Sequence, residues 1–401
     1  MEHFAVIQAL CRASLADASP AIRKQVERLR DALTTDGDTK AAAVLSSLLT
    51  AAQRTHEINP TRISRSRAQL SGEVLNRGTQ APVDRETSAP LAEIIFPSEL
   101  RTDAPIFNDL ISGAVKSIID EWSNLDALAN VGAEPGKTCL IYGAPGTGKT
   151  RLALWMASQL DLPVVLVRID GLISSFLGTT ARNIGNLFSF ANRYRCLLLL
   201  DEFDAVAKMR DDPQEVGEIK RVVNALLQNL DSRRDIGLTI GITNHQRLLD
   251  PAVWRRFEVQ LEIPRPTFEV RVEIARSFMP PVQVTESHLR IIAWFTEGAT
   301  GAEIESLAKT YRKSFAVRDD EKPRHLLEVL RHFATLNGAR IDGARRELIF
   351  GDNGTLFRTM KRDKKLDLSL EEIGIISGRD KSTVSRQIGR SDENSAHLAS
   401  G

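Results

Sequence analysis

The segment GAPGTGKT at residues 143–150 constrains the fold of this 401-residue chain more than any other feature. It matches the pattern G-x-x-x-x-G-K-[ST], and it lies between the apolar run CLIY and the helical pattern RLALWMASQL. A strand, a loop and a helix in that order are the context in which this pattern binds phosphate groups. The glycines let the backbone curl until its N–H groups point at phosphate oxygens. The dipole of the following helix also favours an anion there.

Each residue type in the loop has a chemical reason. We expect Lys149 to reach the β- and γ-phosphates of a nucleotide and Thr150 to hold Mg²⁺. The alternative is a glycine-rich turn without a ligand, which the strand–loop–helix context disfavours. The predicted nucleotide-binding residues of the loop are Gly143, Ala144, Pro145, Gly146, Thr147, Gly148, Lys149, Thr150 and Arg151.

A second motif, LLLLDEFD at residues 197–204, follows the glycine loop and is acidic. Four leucines predict a buried strand, and ligands in open α/β sheets lie at the carboxyl ends of the strands. There Asp201 would hold Mg²⁺ and Glu202 would polarise the attacking water. An acidic helix N-cap is the alternative.

Two further groups follow near the end of this region. The run TIGITNH predicts a strand after which Asn244 can orient a water beside the γ-phosphate. Arg255 and Arg256 come just before the last apolar run, VQLEIP. They can either stabilise charge on the nucleotide of a neighbouring subunit or form surface ion pairs of small energy.

The arrangement of apolar runs predicts the fold class. Short runs alternate with helical stretches, and this alternation favours an α/β domain with a parallel sheet between two layers of helices. The runs predict five parallel strands: TCLIY, PVVLVRI, CLLLLDE, GLTIGIT and VQLEIP. Residues before about 53 and after about 269 have helical patterns, whereas residues 54–90 are polar and predict a flexible linker.

Composition adds only general limits. The net charge of +1 gives no overall field that would draw the chain to nucleic acid or membrane. The three cysteines are widely spaced, and Cys139 and Cys196 lie in apolar runs, so we expect buried thiols. A reducing, cytoplasmic location fits this pattern. The first residues do not resemble a signal peptide, and no apolar run has the length of a membrane span.

In this order the motifs resemble the AAA family of AAA+ ATPases, in the branch of proteasomal ATPases, katanin and spastin. The resemblance covers residues 91 to 336 and implies ATP and Mg²⁺ as cofactors. It implies that Lys149 and Thr150 form Walker A, that Asp201 and Glu202 form Walker B, and that Asn244 is sensor 1. Arg255 and Arg256 are the arginine-finger candidates. In the lid segment GATGAEIESL, Gly301 and Ala302 would touch the nucleotide.

The resemblance also implies an assembly, and together with the patterns of the other segments it predicts a domain order. The family forms a ring, usually a hexamer with shared active sites, and we expect a single ring of the bacterial type. The predicted domains are an N-terminal helical adaptor (1–53), a flexible linker (54–90), the AAA+ α/β domain (91–268), an all-α lid (269–336), a helix-turn-helix-like module (337–390) and a disordered tail (391–401).

An apolar pair in GLISSFLGTT, residues 171–180, lies where this branch carries a pore loop. The resemblance implies that Phe176, Leu177 and Gly178 grip an extended polypeptide in the central pore. The alternative is that the pair packs into a local core. Since no protease motif is visible, proteolysis would need a separate subunit.

The stretch LSLEEIGIISGRDKSTVSRQIGR, residues 368–390, resembles a helix-turn-helix. Gly378 suits the turn, and Asp380 would cap the second helix. Residues 354–390 hold nine Lys and Arg against five Asp and Glu, a local net charge of +4. The stretch is either a DNA reader or a protein-contact module. The chain would accordingly thread proteins or, alternatively, act on DNA as a regulator or a mobile-element ATPase. The predicted DNA contacts are Lys381, Ser382, Thr383, Ser385 and Arg386.

Overall fold

The structure, a computed structural model, describes residues 20–58, 72–100, 103–172, 177–204, 216–233, 236–316 and 325–399. The chain divides into two compact units, Met1–Arg67 and Ala68–Gly401.

The first unit contains a pair of helices, α1 (Pro20–Thr35) and α2 (Thr39–Ile58). The turn between them includes Gly37 at φ +81°, a conformation that glycine adopts without strain. Apolar side chains at helical spacing form a small core that includes Val26, Leu33, Leu45 and Leu49. The prediction of a helical N-terminal region agrees with this pair, although α2 continues past residue 53 to Ile58.

The second unit contains a six-stranded sheet in the order β1-β3-β4-β5-β2-β6. The strands are β1 (Ala92–Ile95), β2 (Thr138–Tyr142), β3 (Val164–Val167), β4 (Leu197–Leu200), β5 (Thr239–Thr243) and β6 (Val259–Glu262). The last five are parallel, and they are the five strands that the apolar runs predict.

The sixth strand is absent from the prediction. β1 lies at the edge of the sheet and pairs antiparallel with β3, where Ala92 faces Val167. It is only four residues long, and Glu93 on it is exposed. So short an edge strand lacks the continuous apolar run of a strand that is buried on both faces.

Helices cover both faces of the sheet, as predicted. On one face the core joins α3 (Asp109–Ser123) and α5 (Lys149–Leu160) to the strands. On the other face it joins α7 (Leu177–Ala191) and α8 (Val216–Asp231). The remaining short helices are α4 (Leu125–Asn130), α6 (Ile169–Leu172), a 3-10 helix (Gln246–Leu248) and α9 (Pro251–Trp254).

The prediction of a flexible linker over 54–90 is wrong for residues 72–90. Leu75 is buried in the core beneath α7. Glu73 forms backbone hydrogen bonds with Arg193 and Arg195. Asp84 is buried with its carboxylate hydrogen-bonded. A polar composition predicted disorder because the partners that satisfy these polar groups are distant in sequence.

After residue 267, the described part of the chain forms eight α-helices. They are α10 (Phe268–Ser277), α11 (Glu286–Phe295), α12 (Gly301–Ser314), α13 (Leu326–Leu336), α14 (Gly343–Phe350), α15 (Asn353–Arg362), α16 (Leu370–Ser377) and α17 (Lys381–Ala399), with a 3-10 helix at Gly338–Arg340. A single hydrophobic core extends through them from Phe268 to Val384.

The predicted boundary at residues 336 and 337 therefore does not separate two cores. The Trp294 indole on α11 donates a 2.9 Å hydrogen bond to Asp363 Oδ2, and Arg290 Nη1 donates to the Leu366 carbonyl at 3.1 Å. The tail predicted as disordered is helical as far as Ala399. No proline or glycine after Gly389 stops α17 before that point.

Candidate active site

The loop between β2 and α5 has a backbone that requires glycine. Gly143, Gly146 and Gly148 have φ of +145°, +78° and +96°. A Cβ on Gly143 would lie 2.3 Å from the carbonyl oxygen of Ile263, so the packing of the loop against the residue after β6 excludes any side chain there. The loop thus adopts the curled conformation that presents N–H groups to an anion.

Lys149 places its charge inside this loop. The side chain is buried, and Nζ donates to the carbonyls of Gly143 at 2.9 Å and Ala144 at 2.8 Å. Burial lowers the pKa of Lys149, while the nearby Asp201 and Asp204 carboxylates act in the opposite direction. The ammonium is held where a phosphate in the loop would meet it.

The ends of α5 and β4 meet at a pair of oxygen groups. Thr150 Oγ1 donates a 2.8 Å hydrogen bond to Asp201 Oδ2, and the Glu202 N–H donates to Asp201 Oδ1 at 2.9 Å. A hydroxyl and a carboxylate are hard oxygen ligands of the kind that Mg²⁺ prefers, so these residues fit the ion.

Glu202 is exposed and has φ of +52°. A non-glycine residue in this region of φ is uncommon, and such residues cluster at functional sites. The Phe203 N–H donates to the Ile242 carbonyl at 2.9 Å, which holds the turn after β4 against β5. The backbone therefore carries the Glu202 carboxylate out of the sheet toward the cavity.

Asn244 follows β5 at the same edge of the sheet. Thr243 Oγ1 donates to the buried Asp204 carboxylate at 3.0 Å and accepts from the His245 N–H at 2.9 Å. These bonds fix the backbone on both sides of Asn244, whose half-buried side chain lines the cavity.

The start of α12 contacts the loop directly. The Ala302 N–H donates to the Gly146 carbonyl at 3.1 Å. A Cβ on Gly146 would lie 3.0 Å from Thr300 Oγ1 and 3.1 Å from the Ala302 Cβ. Gly146 therefore allows the helix to approach closely, and the predicted residues Gly301 and Ala302 reach the site.

These elements surround one cavity of about 560 Å³. The predicted residues that line it are Pro145, Gly146, Thr147, Gly148, Lys149, Thr150, Arg151, Asp201, Glu202, Asn244, Gly301 and Ala302. The predicted residues Gly143 and Ala144 do not line it, but their carbonyls accept the hydrogen bonds of Lys149 Nζ.

The prediction missed one wall of the cavity, which is mostly apolar and suits a flat base. Its residues come from the segment before α3, from β5 and from the lid helices. They are Asp103, Ala104, Pro105, Ile106, Phe107, Ile242, Ile274, Ser277, Phe278 and Glu305. The one signal in the sequence is the pair Ile106-Phe107 just before Asn108, which caps α3.

The two predicted arginines lie outside this cavity. Both are exposed between α9 and β6. Arg256 Nε forms a 2.6 Å ion pair with Asp231 on α8. The Arg255 guanidinium forms no ion pair with any residue that the structure describes. Neither arginine lines the cavity of its own chain.

The predicted substrate loop is only partly placed. Phe176 lies outside the described residues, whereas Leu177 and Gly178 begin the backbone of α7.

The structure places the predicted DNA contacts in the first turns of α17. Lys381, Ser382, Ser385 and Arg386 are exposed there, while the half-buried Thr383 takes part in the helix cap.

Comparisons with known proteins show which family the sequence matches. Residues 139–265 match the family described as ATPase family associated with various cellular activities (AAA). An uncharacterized AAA family ATPase, y4kL, of Sinorhizobium fredii is 40% identical over 186 residues, which cover 45% of this chain and 54% of that protein. The chain thus spans about half the length of this relative.

A proteasome-activating nucleotidase of Pyrococcus furiosus is 30% identical over 269 residues, covering 61% of this chain and 67% of that protein. Among solved structures, the FIGL-1 AAA domain in complex with ADP is similar, with a TM-score of 0.49, 22% identity, and coverage of 64% of this chain and 90% of that one. Among the helices that the structure describes, none has the length and apolar character needed to cross a bilayer. The resemblance predicted from the motifs is confirmed, and the chain belongs to the AAA family of ATPases.

Proposed function

We propose that the chain hydrolyses ATP with Mg²⁺ and uses the energy to remodel or thread a protein substrate through a ring of subunits. The observation that carries the proposal is the single cavity that brings together the glycine loop, the Asp201–Glu202 pair, Asn244 and the start of α12. This set combines phosphate binding, metal ligands, a general base and a lid over the nucleotide.

The side chains that line the cavity have different roles in the proposed hydrolysis. Lys149 contacts the phosphates, and Glu202 accepts a proton from the attacking water, which Asn244 orients. Thr150 and Asp201 would hold Mg²⁺, which supplies neutralisation of the phosphate charge.

The ring supplies the remaining cation. Arg255 is exposed and without an ion pair among the described residues, whereas Arg256 is engaged with Asp231 of the same chain. Arg255 is therefore the better candidate for contact with the γ-phosphate on a neighbouring subunit. A hexameric ring, as implied by the family, would complete each site in this way.

The substrate class rests on the position of the apolar pair. Leu177 is the first residue of α7, and Phe176 is the residue before it in the sequence. This part of the chain follows the carboxyl end of β3, at the edge of the sheet where the nucleotide cavity lies. A ring of such loops would contact an unfolded polypeptide. The relatives named proteasome-activating nucleotidase support a separate protease subunit as one partner.

The test is ATP turnover by the purified chain alone, with an unfolded polypeptide, and with duplex DNA. Stimulation by polypeptide that disappears in Phe176→Ala supports threading. Turnover in Glu202→Gln that equals that of the wild type contradicts the assignment of the active site. Stimulation by DNA alone, unaffected by Phe176→Ala, contradicts threading.

A second candidate function, binding of duplex DNA, is supported by the surface of α17. The exposed residues between 381 and 390 are all basic, hydroxyl-bearing or glycine: Lys381, Ser382, Ser385, Arg386, Gly389 and Arg390. At 1.5 Å per residue this stripe is about 13 Å long, close to the width of the major groove at about 12 Å.

The opposite side of α17 packs against the other helices of the module. Val384 is buried, and Ile388 packs on the shared core. Contacts of α17 with α15 and α16 complete a three-helix arrangement like that of helix-turn-helix proteins.

The measurement for this candidate is fluorescence anisotropy with labelled duplex DNA. Arg386→Ala should weaken binding about fivefold or more, because a base or phosphate contact is lost. Lys309→Ala, which removes one exposed positive charge from α12, is the matched control. Equal effects of the two variants would contradict a specific role for α17.

A further inference from the structure

Residues 72–91, here called the strap, run along α7 from its end to its beginning. At the end of α7, the Glu73 N–H donates to the Arg193 carbonyl, and the Arg195 N–H donates to the Glu73 carbonyl, each at 2.9 Å. The Glu73 carboxylate also pairs with Arg193 Nε at 2.9 Å. These bonds attach the strap where the chain leaves α7 for β4.

At the other end, the strap contacts the first turns of α7. Asp84 accepts a 2.8 Å hydrogen bond from Asn183 Nδ2, and Glu86 Oε1 accepts a 3.1 Å hydrogen bond from Thr179 Oγ1. Thr179 and Asn183 are four positions apart, so they lie on one face of the helix. Both side chains are buried, as is Asp84. The strap thus supplies polar partners to two buried groups of α7.

The strap is itself held in shape around Asp84. Its carboxylate accepts the N–H groups of Glu86 at 2.7 Å and Thr87 at 3.2 Å. Its N–H donates to the Ala89 carbonyl at 2.8 Å. One carboxylate therefore joins a closed turn of the strap to α7.

The first turns of α7, which Asp84 and Glu86 contact, are next to the proposed substrate loop. The helix begins at Leu177, directly after Phe176. We propose that Asp84 and Glu86 are positioning residues that fix the first turns of α7 and so set the point from which the substrate loop leaves the helix. The loop's part in this inference rests on the proposed threading function.

The direct test is hydrogen–deuterium exchange of the full chain over residues 177–183. Glu86→Ala should raise exchange there about threefold to tenfold, because one hydrogen bond to the helix is lost. Glu86→Gln keeps an acceptor for Thr179 and should restore the wild-type rate. Glu73→Ala, which removes the ion pair at the far end of the strap, should leave these amides unchanged. Unchanged exchange in Glu86→Ala would overturn the proposal whatever the substrate is.

The functional test is the concentration of unfolded polypeptide that gives half-maximal stimulation of ATP turnover. We expect this concentration to rise about threefold to tenfold in Glu86→Ala and to return in Glu86→Gln, with turnover without polypeptide unchanged. Both carboxylate oxygens of Asp84 accept hydrogen bonds, and Asp84→Asn keeps only one of them, so this variant should also raise the half-maximal concentration.

The two proposals fail in different ways. A wild-type chain that polypeptide does not stimulate contradicts threading and the loop's part in this inference, and the exchange measurement still decides whether the strap fixes α7. Stimulation that is lost in Phe176→Ala but unaltered in Glu86→Ala leaves threading intact and overturns the positioning role.

Discussion

The Thr150 hydroxyl and the Asp201 carboxylate, 51 positions apart in the chain, are joined by a 2.8 Å hydrogen bond. We expect Asp201→Asn to lower ATP turnover at least about a hundredfold, because it removes the charged oxygen ligand for Mg²⁺. The measurement is turnover as a function of Mg²⁺ concentration. Glu93→Gln, at an exposed position of β1, is the control. An unchanged Mg²⁺ dependence in Asp201→Asn would contradict the metal site.

Glu202→Gln should separate binding from hydrolysis. The amide cannot accept the proton of the attacking water, so turnover should fall about a hundredfold to ten-thousandfold. ATP affinity, measured by calorimetry, should stay within a few-fold of the wild type, since Glu202 lies on the cavity but not in the glycine loop. A large loss of affinity would indicate that Glu202 acts in binding instead.

Arg255→Ala should lower ATP turnover, because it removes the side chain proposed to contact the nucleotide on the neighbouring subunit. We expect a fall of about a thousandfold or more, the size of effect seen when an arginine is supplied in trans. Arg256→Ala, which removes an exposed ion pair with Asp231, should change stability by about 0–1 kcal/mol.

Mixing Arg255→Ala subunits with Glu202→Gln subunits checks whether Arg255 acts in trans. Some interfaces of a mixed ring pair an intact Glu202 with an intact Arg255, so part of the activity should return. No recovery on mixing would place Arg255 in its own site or outside catalysis.

Gly146→Ala should weaken nucleotide binding about tenfold or more. The new Cβ would meet Thr300 and Ala302 at about 3 Å, and φ of +78° strains any side chain. Gly298→Ala is the control, because Gly298 has a similar φ of +71° but a Cβ there would have no atom within 4 Å. It therefore measures the effect of backbone strain without a steric contact. The measurement is ADP affinity by calorimetry. Equal affinities in the two variants would show that the approach of α12 does not matter.

The Asp380 carboxylate, which caps α17, should become protonated only at strongly acidic pH. Hydrogen bonds from the Ser382 hydroxyl and from the Thr383 N–H and hydroxyl lower the pKa of Asp380 from its ordinary 3.8 to about 2. A lowered pKa in the folded state stabilises it above pH 3.8, and the contribution is lost as the pH falls toward 2. Exchange of the Thr383 amide should rise over this interval in the wild type. Asp380→Asn, which has no carboxylate there, should lack this pH dependence.

The sequence predicted the parts of the site whose chemistry is local. The glycines of residues 143–148, Lys149 and Thr150 share one loop, and Asp201 and Asn244 each end a strongly apolar run. Carboxyl ends of parallel strands meet at one edge of a sheet, so a pattern in the chain sufficed to bring these groups together.

Other parts depend on partners that the chain pattern does not reveal. Asp84 lies 99 positions from Asn183, and a polar segment with buried partners has the composition of a linker. The apolar wall formed by Phe107, Ile274 and Phe278 comes from separate elements. The edge strand β1 and the extension of α17 were missed because each carries a weak periodic signal.

The core shared by α10 to α17 has a mechanical consequence. The first residues of α12 touch the glycine loop, while α17 is packed into the same close-packed interior as α12. Close-packed interiors transmit displacement instead of absorbing it. We therefore expect the helices that share this core to move together, as one body in contact with the glycine loop at Gly146. A shift of α12 against Gly146 should displace α17 as well.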